Sequence, residues 1–120
     1  MFIPNPTARY GESIASDFLT KKGYRIIEKN FRHGYGELDI IATNNGILVF
    51  VEVKTRTTQL FGGAREAIRT TKLKNIIRTA LFYKMLHPEL PQALRIDAVL
   101  IDIDTKNSKH IEHIENISGF

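Results

Sequence analysis

The chain has 120 residues, a formal net charge of +4, and an ordinary balance of 42% hydrophobic and 25% charged residues, which excludes an intrinsically disordered chain. It contains no cysteine, and this excludes a disulfide scaffold, a cysteine nucleophile and a thiolate-bound metal centre. Because no apolar run approaches the roughly 20 residues of a membrane span and the first residues resemble no secretory signal, we expect one soluble, cytoplasmic domain over residues 1–120 with no membrane partner.

The first predicted element is an amphipathic helix. Thr7 is a suitable cap, the helix runs to about Lys22, and Gly23 ends it. The apolar stripe at helical spacing consists of Gly11, Ile14, Ala15, Phe18 and Leu19. Glu12 lies at the edge of this stripe, so its carboxylate is expected to face the surface on which the helix packs.

Three strands are predicted next. Residues 24–30 form the first of them, and the glycine-bounded segment 32–36 is expected to be a turn or mobile loop. Residues 37–43 and 47–54 are apolar runs joined by the Asn-Asn-Gly sequence at 44–46. Asn-Gly between two apolar runs is the strongest short-range signal of a β-hairpin.

The second half of the chain predicts one long helix and two strands. The helix covers residues 64–86, and residues 94–102 and 111–117 form the strands, the last one at an edge. The expected core stripe of the helix is Leu73, Ile76, Ile77, Ala80 and Leu81. The resulting order, α-β-β-β-α-β-β, predicts an α/β fold with a mixed central β-sheet and a helix on each face.

The hairpin brings four charged residues together. If the Asn-Gly pair forms a two-residue type I′ turn, Asp39 lies directly opposite Glu52. The same register places Glu37 opposite Lys54, and all four on one face of the sheet. A turn on the two asparagines keeps them on that face, whereas a three-residue loop would break the arrangement.

This arrangement suits metal-dependent hydrolysis. Directly opposed carboxylates repel each other, and carboxylate oxygens are the ligands that Mg²⁺ takes. Asp39 and Glu52 are therefore candidate metal ligands, and Lys54 could orient a water molecule or neutralise charge on a phosphate. The alternative is an ordinary solvated strand face. Val49, Val51 and Val53 make one face of this strand apolar, and Leu48 and Phe50 make the other face apolar too. A central strand with functional charges at its end is therefore favoured.

Charge is concentrated in residues 65–84, which hold six basic residues and one acidic residue. Such a segment suits a polyanionic partner, although a solvated helix face would have the same composition. The candidate nucleic-acid-binding residues are Arg56, Arg65, Arg69 and Lys72. Glu37 is either a further carboxylate of the site or the salt-bridge partner of Lys54.

Several of these residues also carry a family resemblance. The matching segments are Gly11-Glu12, Asn30-Phe31-Arg32, Gly36-Glu37-Leu38-Asp39, Phe50 to Arg56, Phe61-Gly62, Lys72 and Arg95-Ile96-Asp97. They closely resemble the YraN-type family of small bacterial proteins. That family looks like a branch of the restriction-endonuclease-like PD-(D/E)xK superfamily, near the archaeal Holliday-junction resolvases. Leu38 stands where the superfamily motif has proline.

The resemblance implies specific roles. Asp39 and Glu52 would be metal ligands, Lys54 the catalytic lysine, and Glu12 the helix carboxylate that completes the site. It also implies an α-β-β-β-α-β core. Because resolvases of the superfamily act as dimers, the resemblance leaves open a homodimer for this chain.

The function expected from this combination is a Mg²⁺- or Mn²⁺-dependent endonuclease that acts on DNA, including branched DNA. A non-catalytic nucleic-acid-binding module with the same fold is the main alternative. A third hypothesis is a protein-interaction role in which neither the acids nor the bases contact nucleic acid.

Overall fold

The structure is a computed structural model that describes residues 6–34, 36–57, 70–106 and 108–119. Over these residues the chain follows the predicted order α-β-β-β-α-β-β. The elements are α1 (Pro6–Lys21), β1 (Arg25–His33), β2 (Gly36–Asn44), β3 (Ile47–Thr57), α2 (Thr70–Leu86), β4 (Leu94–Ile103) and β5 (Lys109–Ile114). Neither of these helices is long and apolar enough to cross a membrane.

The five strands form one mixed sheet in the order β1-β2-β3-β4-β5. Strands β3 and β4 are parallel, and the other neighbouring pairs are antiparallel. A parallel pair needs a crossover connection, and α2 lies in that connection. The α/β class, the mixed sheet and the order of the elements are therefore as predicted, and the α-β-β-β-α-β core implied by the family resemblance is present.

The hairpin between β2 and β3 has the predicted turn. Asn45 and Gly46 both have positive φ, 51° and 76°, as a type I′ turn requires. Backbone pairing then runs from Asn44 opposite Ile47 onward, so the register is the one that the sequence predicted.

Each face of the sheet carries its own apolar core, one under each helix. The buried residues on the α1 side include Ala15, Leu19, Ile40, Ala42, Val49, Val51, Val53, Val99, Ile101 and Ile103. Those on the α2 side are Leu38, Ile41, Leu48, Phe50, Ile76, Ala80, Tyr83 and Ile96. Strand β3 contributes to both cores and lies at the centre of the sheet, as its apolar sequence predicted.

Some boundaries and one core residue differ from the predictions. Strand β1 extends to His33, so part of the predicted loop at 32–36 is strand. The predicted core residue Leu81 is 52% exposed. Tyr83 instead occupies the edge of the buried stripe, where its ring makes edge contacts with those of Phe31 and Phe50. The first part of the predicted second helix, residues 64–69, lies outside the described residues.

The close contact between α1 and β3 depends on a glycine. A Cβ atom on Gly11 would overlap the side chain of Thr55. We expect Gly11→Ala to lower the free energy of unfolding by about 1–3 kcal/mol through overpacking, as measured by urea denaturation. Ser13→Ala, at an exposed position of the same helix, is the control and should cost less than about 0.5 kcal/mol. An unchanged unfolding midpoint for Gly11→Ala would contradict this packing.

Candidate active site

A cavity of about 480 Å³ lies near the starts of α1 and α2, beside the facing ends of β2 and β3. Its acidic lining residues are Glu12, Glu37, Asp39 and Glu52, and its basic ones are Arg9, Arg32, Lys54 and Lys72. The structure thus places all four sequence-predicted catalytic residues, and one predicted nucleic-acid contact, around a single cavity.

Strand β2 is irregular where it reaches this cavity. Leu38 and Ile41 both pack on the α2 side of the sheet, whereas Ile40 packs on the α1 side. Two residues three positions apart do not share a face of a regular strand, so the alternation shifts beside Asp39. The Asp39 carboxylate Oδ2 accepts a hydrogen bond of 2.9 Å from the backbone N–H of Val53. This bond fixes the carboxylate against the central strand.

Asp39 and Glu52 form a buried pair of carboxyl groups. They are only 8% and 5% exposed, and the regular β2–β3 register ends one position before them, with Ile40 opposite Val51. Burial raises the pKa of Asp39 to about 8, with further contributions from the charge of Glu52 and a hydrogen bond to it. At neutral pH, the Asp39 carboxyl group therefore keeps its proton and is hydrogen-bonded to Glu52, because two adjacent carboxylates resist simultaneous ionisation.

Glu52 also receives a positive charge from α2. The Nζ atom of Lys72 lies 3.1 Å from its Oε1, with the lysine side chain 46% exposed and the glutamate side chain 6% exposed. The sequence predicted Lys72 to be a nucleic-acid-binding residue. The structure places its ammonium group inside the same cavity as the carboxylates, in contact with one of them.

Glu12 faces this pair from α1, as its position at the edge of the apolar stripe predicted. Burial and then the charge of Asp39 raise the pKa of Glu12, and a hydrogen bond to Asn30 opposes the shift. Asp39 therefore interacts electrostatically with both Glu52 and Glu12.

The other charged residues that the sequence singled out lie on β2, on β3 or outside the described residues. Lys54 is partly buried and lines the cavity. Glu37 lines the cavity and forms a salt bridge of 3.0 Å with Arg32, which the β1–β2 register sets opposite it. Its partner is therefore not Lys54, one of the two alternatives that the sequence left open. Arg56 is exposed near the end of β3. Arg65 and Arg69 lie outside the described residues.

The pair of Asp39 and Glu52 suits a hard divalent cation. Mg²⁺ is commonly held by one or two carboxylates while keeping several water molecules, and a cation would relieve the repulsion that holds a proton here. Within the described part of the chain, no group of three or more His, Asp or Glu side chains is positioned to hold a metal ion. The donors present therefore fit a two-carboxylate site, and the predicted participation of Glu12 stays a prediction.

The sequence reasoning did not assign roles to Asn30, Arg32 or Asn75, which also line the cavity. Asn30 and Arg32 were visible only as part of a motif shared with the resembling family. Asn30 has a φ of 56°, which is uncommon for a residue other than glycine, and this conformation brings its amide to Glu12.

The Asp39 pair predicts a pH dependence of stability. Since folding raises the pKa of Asp39, the folded protein binds this proton more tightly than the unfolded chain does. The stabilisation is complete below the unfolded pKa of about 4 and is lost as the pH rises through about 8. Without divalent cations, we expect the free energy of unfolding in urea to fall over this interval, and the fall to be smaller in Asp39→Asn, in which only Glu12 still has a raised pKa in this cavity. A flat profile for the unmodified chain would contradict the shared proton.

A second buried polar cluster lies on β4, on the α1 side of the sheet. Asp97 is fully buried and accepts a hydrogen bond of 2.9 Å from Arg95 Nε. Its carboxylate also contacts His113 Nε2 at 2.8 Å and accepts the backbone N–H of Asn116 at 2.9 Å. Burial alone would raise the pKa of Asp97, but these hydrogen bonds outweigh it and lower the pKa. The cluster ties β5 and the segment after it to β4.

Comparison with known proteins identifies relatives over most of the chain. Residues 11–101 match the family described as "Uncharacterised protein family UPF0102". A UPF0102 protein from Thermodesulfovibrio yellowstonii is 44% identical over 107 residues, which cover 88% of this chain and 89% of the relative. A UPF0102 protein from Chlorobium phaeobacteroides is 41% identical over 120 residues, which cover 96% and 95% of the two chains.

A solved structure, Pyrococcus furiosus SfsA in complex with Ca²⁺, aligns with a TM-score of 0.42 and 17% identity over 89% of this chain and 61% of that chain. The family match and the two relatives each cover most of the chain. The chain belongs to protein family UPF0102, the YraN-type family that its sequence motifs predicted.

Proposed function

We propose that this protein is a Mg²⁺- or Mn²⁺-dependent endonuclease that hydrolyses phosphodiester bonds in DNA. The observation that carries the proposal is the buried pair of Asp39 and Glu52 beside Lys54 in one cavity. Two adjacent buried carboxyl groups cost stability in a fold that needs only apolar contacts at this position. Their retention at the rim of an open cavity is typical of a functional site.

The residues of the cavity divide the work of hydrolysis between them. Asp39 and Glu52 would hold the cation once the proton between them has left. When bound, the cation would supply Lewis-acid stabilisation of the charge that develops on the phosphate. Lys54 would donate hydrogen bonds to the attacking water or to a phosphate oxygen, which lowers the energy of the transition state. Lys72, which lines the same cavity, would contact the phosphate.

The helix α2 supports a polyanionic substrate. Its residues Thr70–Leu86 include four basic residues and no acidic residue, and its first turns line the cavity. Contacts of this kind hold the phosphate backbone without reading the base sequence. We therefore propose salt-sensitive binding with little sequence preference, and a substrate recognised by shape, with branched DNA as the first candidate.

A cleavage assay tests this proposal. The purified protein would be incubated with labelled linear duplex, single-stranded and four-way-branched DNA in Mg²⁺, in Mn²⁺ and in excess chelator. The proposal predicts cleavage that requires the cation and differs between the three substrates. The absence of cleavage of all three in both metals, by protein that is folded and binds them, would contradict it.

One observation favours the alternative of a non-catalytic nucleic-acid-binding module. Lys72 already neutralises Glu52 at 3.1 Å, which is how a site without a cation could be stabilised. A binding module would bind DNA equally well in chelator and in Mg²⁺. It would also keep this affinity in Glu52→Gln, and it would cleave none of the three substrates.

A further inference from the structure

A second cavity adjoins the candidate active site. Its volume is about 520 Å³, and its lining includes His33 from the end of β1 and Arg78 and Phe82 from α2. Gly36 and Asn75 line both cavities. The two spaces are therefore neighbours along the surface between α2 and the ends of β1 and β2.

A glycine, Gly36, lies at the junction between the two cavities. A Cβ atom on Gly36 would overlap the side chain of Thr79, so β2 approaches α2 more closely here than any other residue would permit. Consequently, no β2 side chain projects from this position into the passage between the cavities.

The second cavity contains a flat aromatic surface. The rings of His33 and Phe82 are stacked, with centroids 3.7 Å apart and an angle of 15° between their planes. His33 is exposed and Phe82 is partly exposed. Aromatic rings presented beside a positively charged groove are the usual platform on which the bases of unpaired nucleic acid stack.

Helix α2 connects this platform to the carboxylates. Asn75, Arg78 and Phe82 follow one another at intervals of three and four residues, so they lie along one face of the helix. Lys72, which contacts Glu52, comes three residues before Asn75. Ten residues separate Lys72 from Phe82, a rise of about 15 Å, which is the length of roughly four stacked nucleotides at about 3.4 Å each.

We propose that the second cavity binds a base of an unpaired strand about four nucleotides from the phosphate that is cut. The base would stack on the outer face of the His33–Phe82 ring pair, and Arg78 would contact a neighbouring phosphate. The proposal rests on the proposed endonuclease function and narrows its substrate. Bases inside an intact duplex are stacked on each other and cannot reach this platform. The preferred substrate is therefore DNA in which an unpaired segment continues from a duplex, as in an overhang, a flap or an open branch.

Binding measurements separate this inference from a general role of charge. Fluorescence anisotropy in chelator would compare a labelled duplex with the same duplex extended by an unpaired strand. We expect Phe82→Ala to weaken binding of the extended duplex by about 5- to 150-fold and to leave the plain duplex unchanged. Phe82→Tyr, which keeps an aromatic ring, should restore the affinity. Arg78→Gln should reduce the salt dependence for the extended duplex by about 0.7 in the log–log slope.

The control is Lys74→Gln, which removes one charge from an exposed position of the same helix. It should affect both ligands equally and only slightly. Thermal unfolding would confirm that each variant is folded, and Arg78→Gln, at an exposed site, tests the inference without disturbing the packing around Phe82.

The outcomes are distinguishable. If the unmodified protein binds and cleaves duplex DNA but gains no affinity from the extension, or if Phe82→Ala weakens both ligands equally, the stacking site is wrong and the endonuclease proposal stands. If the unmodified protein binds neither ligand, both proposals are overturned. If it binds the extended duplex through this cavity but cleaves nothing in Mg²⁺ or Mn²⁺, the stacking site stands and the catalytic proposal fails.

Discussion

Glu52→Gln is expected to reduce cation-dependent DNA cleavage by at least about 100-fold, the size of loss typical when a metal ligand or a transition-state donor is removed. The substitution keeps the shape of the side chain and removes the charge that would hold the cation. It also removes one member of the repelling pair with Asp39, so we expect the cation-free variant to fold. Cleavage rates at saturating DNA, with unfolding curves for each protein, provide the measurement.

Lys54→Ala should cause a loss of about 100- to 1000-fold, because the cavity would lack the ammonium group proposed to support the transition state. DNA affinity should change little in both variants. Lys74→Ala on the exposed side of α2 is the matched control, since it removes the same charge from outside the cavity. Full activity of both Glu52→Gln and Lys54→Ala would show that cleavage takes place at another site.

The second large effect is expected on the stability of the fold, at the buried cluster around Asp97, which does not line the candidate active site. Asp97→Ala should lower the free energy of unfolding by about 3–5 kcal/mol, because it leaves Arg95 without its buried counter-charge and His113 Nε2 without its hydrogen-bond partner. Asp97 is fully buried and bonded to both at 2.9 and 2.8 Å. Urea denaturation at neutral pH would measure this loss.

A matched control exists on the same arginine. Glu115 also contacts Arg95, at 3.4 Å, but its side chain is 59% exposed. Glu115→Ala should therefore cost less than about 1 kcal/mol. Because folding lowers the pKa of Asp97, its stabilisation is present above the unfolded value near 4 and is lost as the pH falls through the folded value. Equal losses in Asp97→Ala and Glu115→Ala would show that burial does not decide the effect.

The predictions that held depended on local chemistry. Asn45 and Gly46 tolerate positive φ, and this property alone determined the turn and the register that leads to Asp39 and Glu52. Strand β3 was predicted to be central because both of its faces are apolar. The position of Glu12 followed from helical periodicity, which places side chains three and seven residues apart on the same face.

Some contacts of the structure were not predicted, because they depend on element boundaries and packing that the sequence pattern does not show. The salt bridge from Arg32 to Glu37 was missed because residues 32–36 were expected to form a turn or loop, whereas β1 extends to His33 and sets Arg32 opposite Glu37. The contact of Lys72 with Glu52 requires the packing of α2 against the sheet. Likewise, the sequence gives no sign that His113, sixteen positions after Asp97, completes a buried cluster.

The claim that Asp39 and Glu52 form a divalent-cation site is tested most directly by calorimetric titration with Mn²⁺ in two buffers of different ionisation enthalpy. We predict one cation bound per chain and a heat that depends on the buffer, because the proton held between the carboxyl groups must leave near neutral pH. Binding should be lost in both Asp39→Asn and Glu52→Gln. The absence of Mn²⁺ binding to the unmodified protein, or unchanged binding in both variants, would contradict the claim.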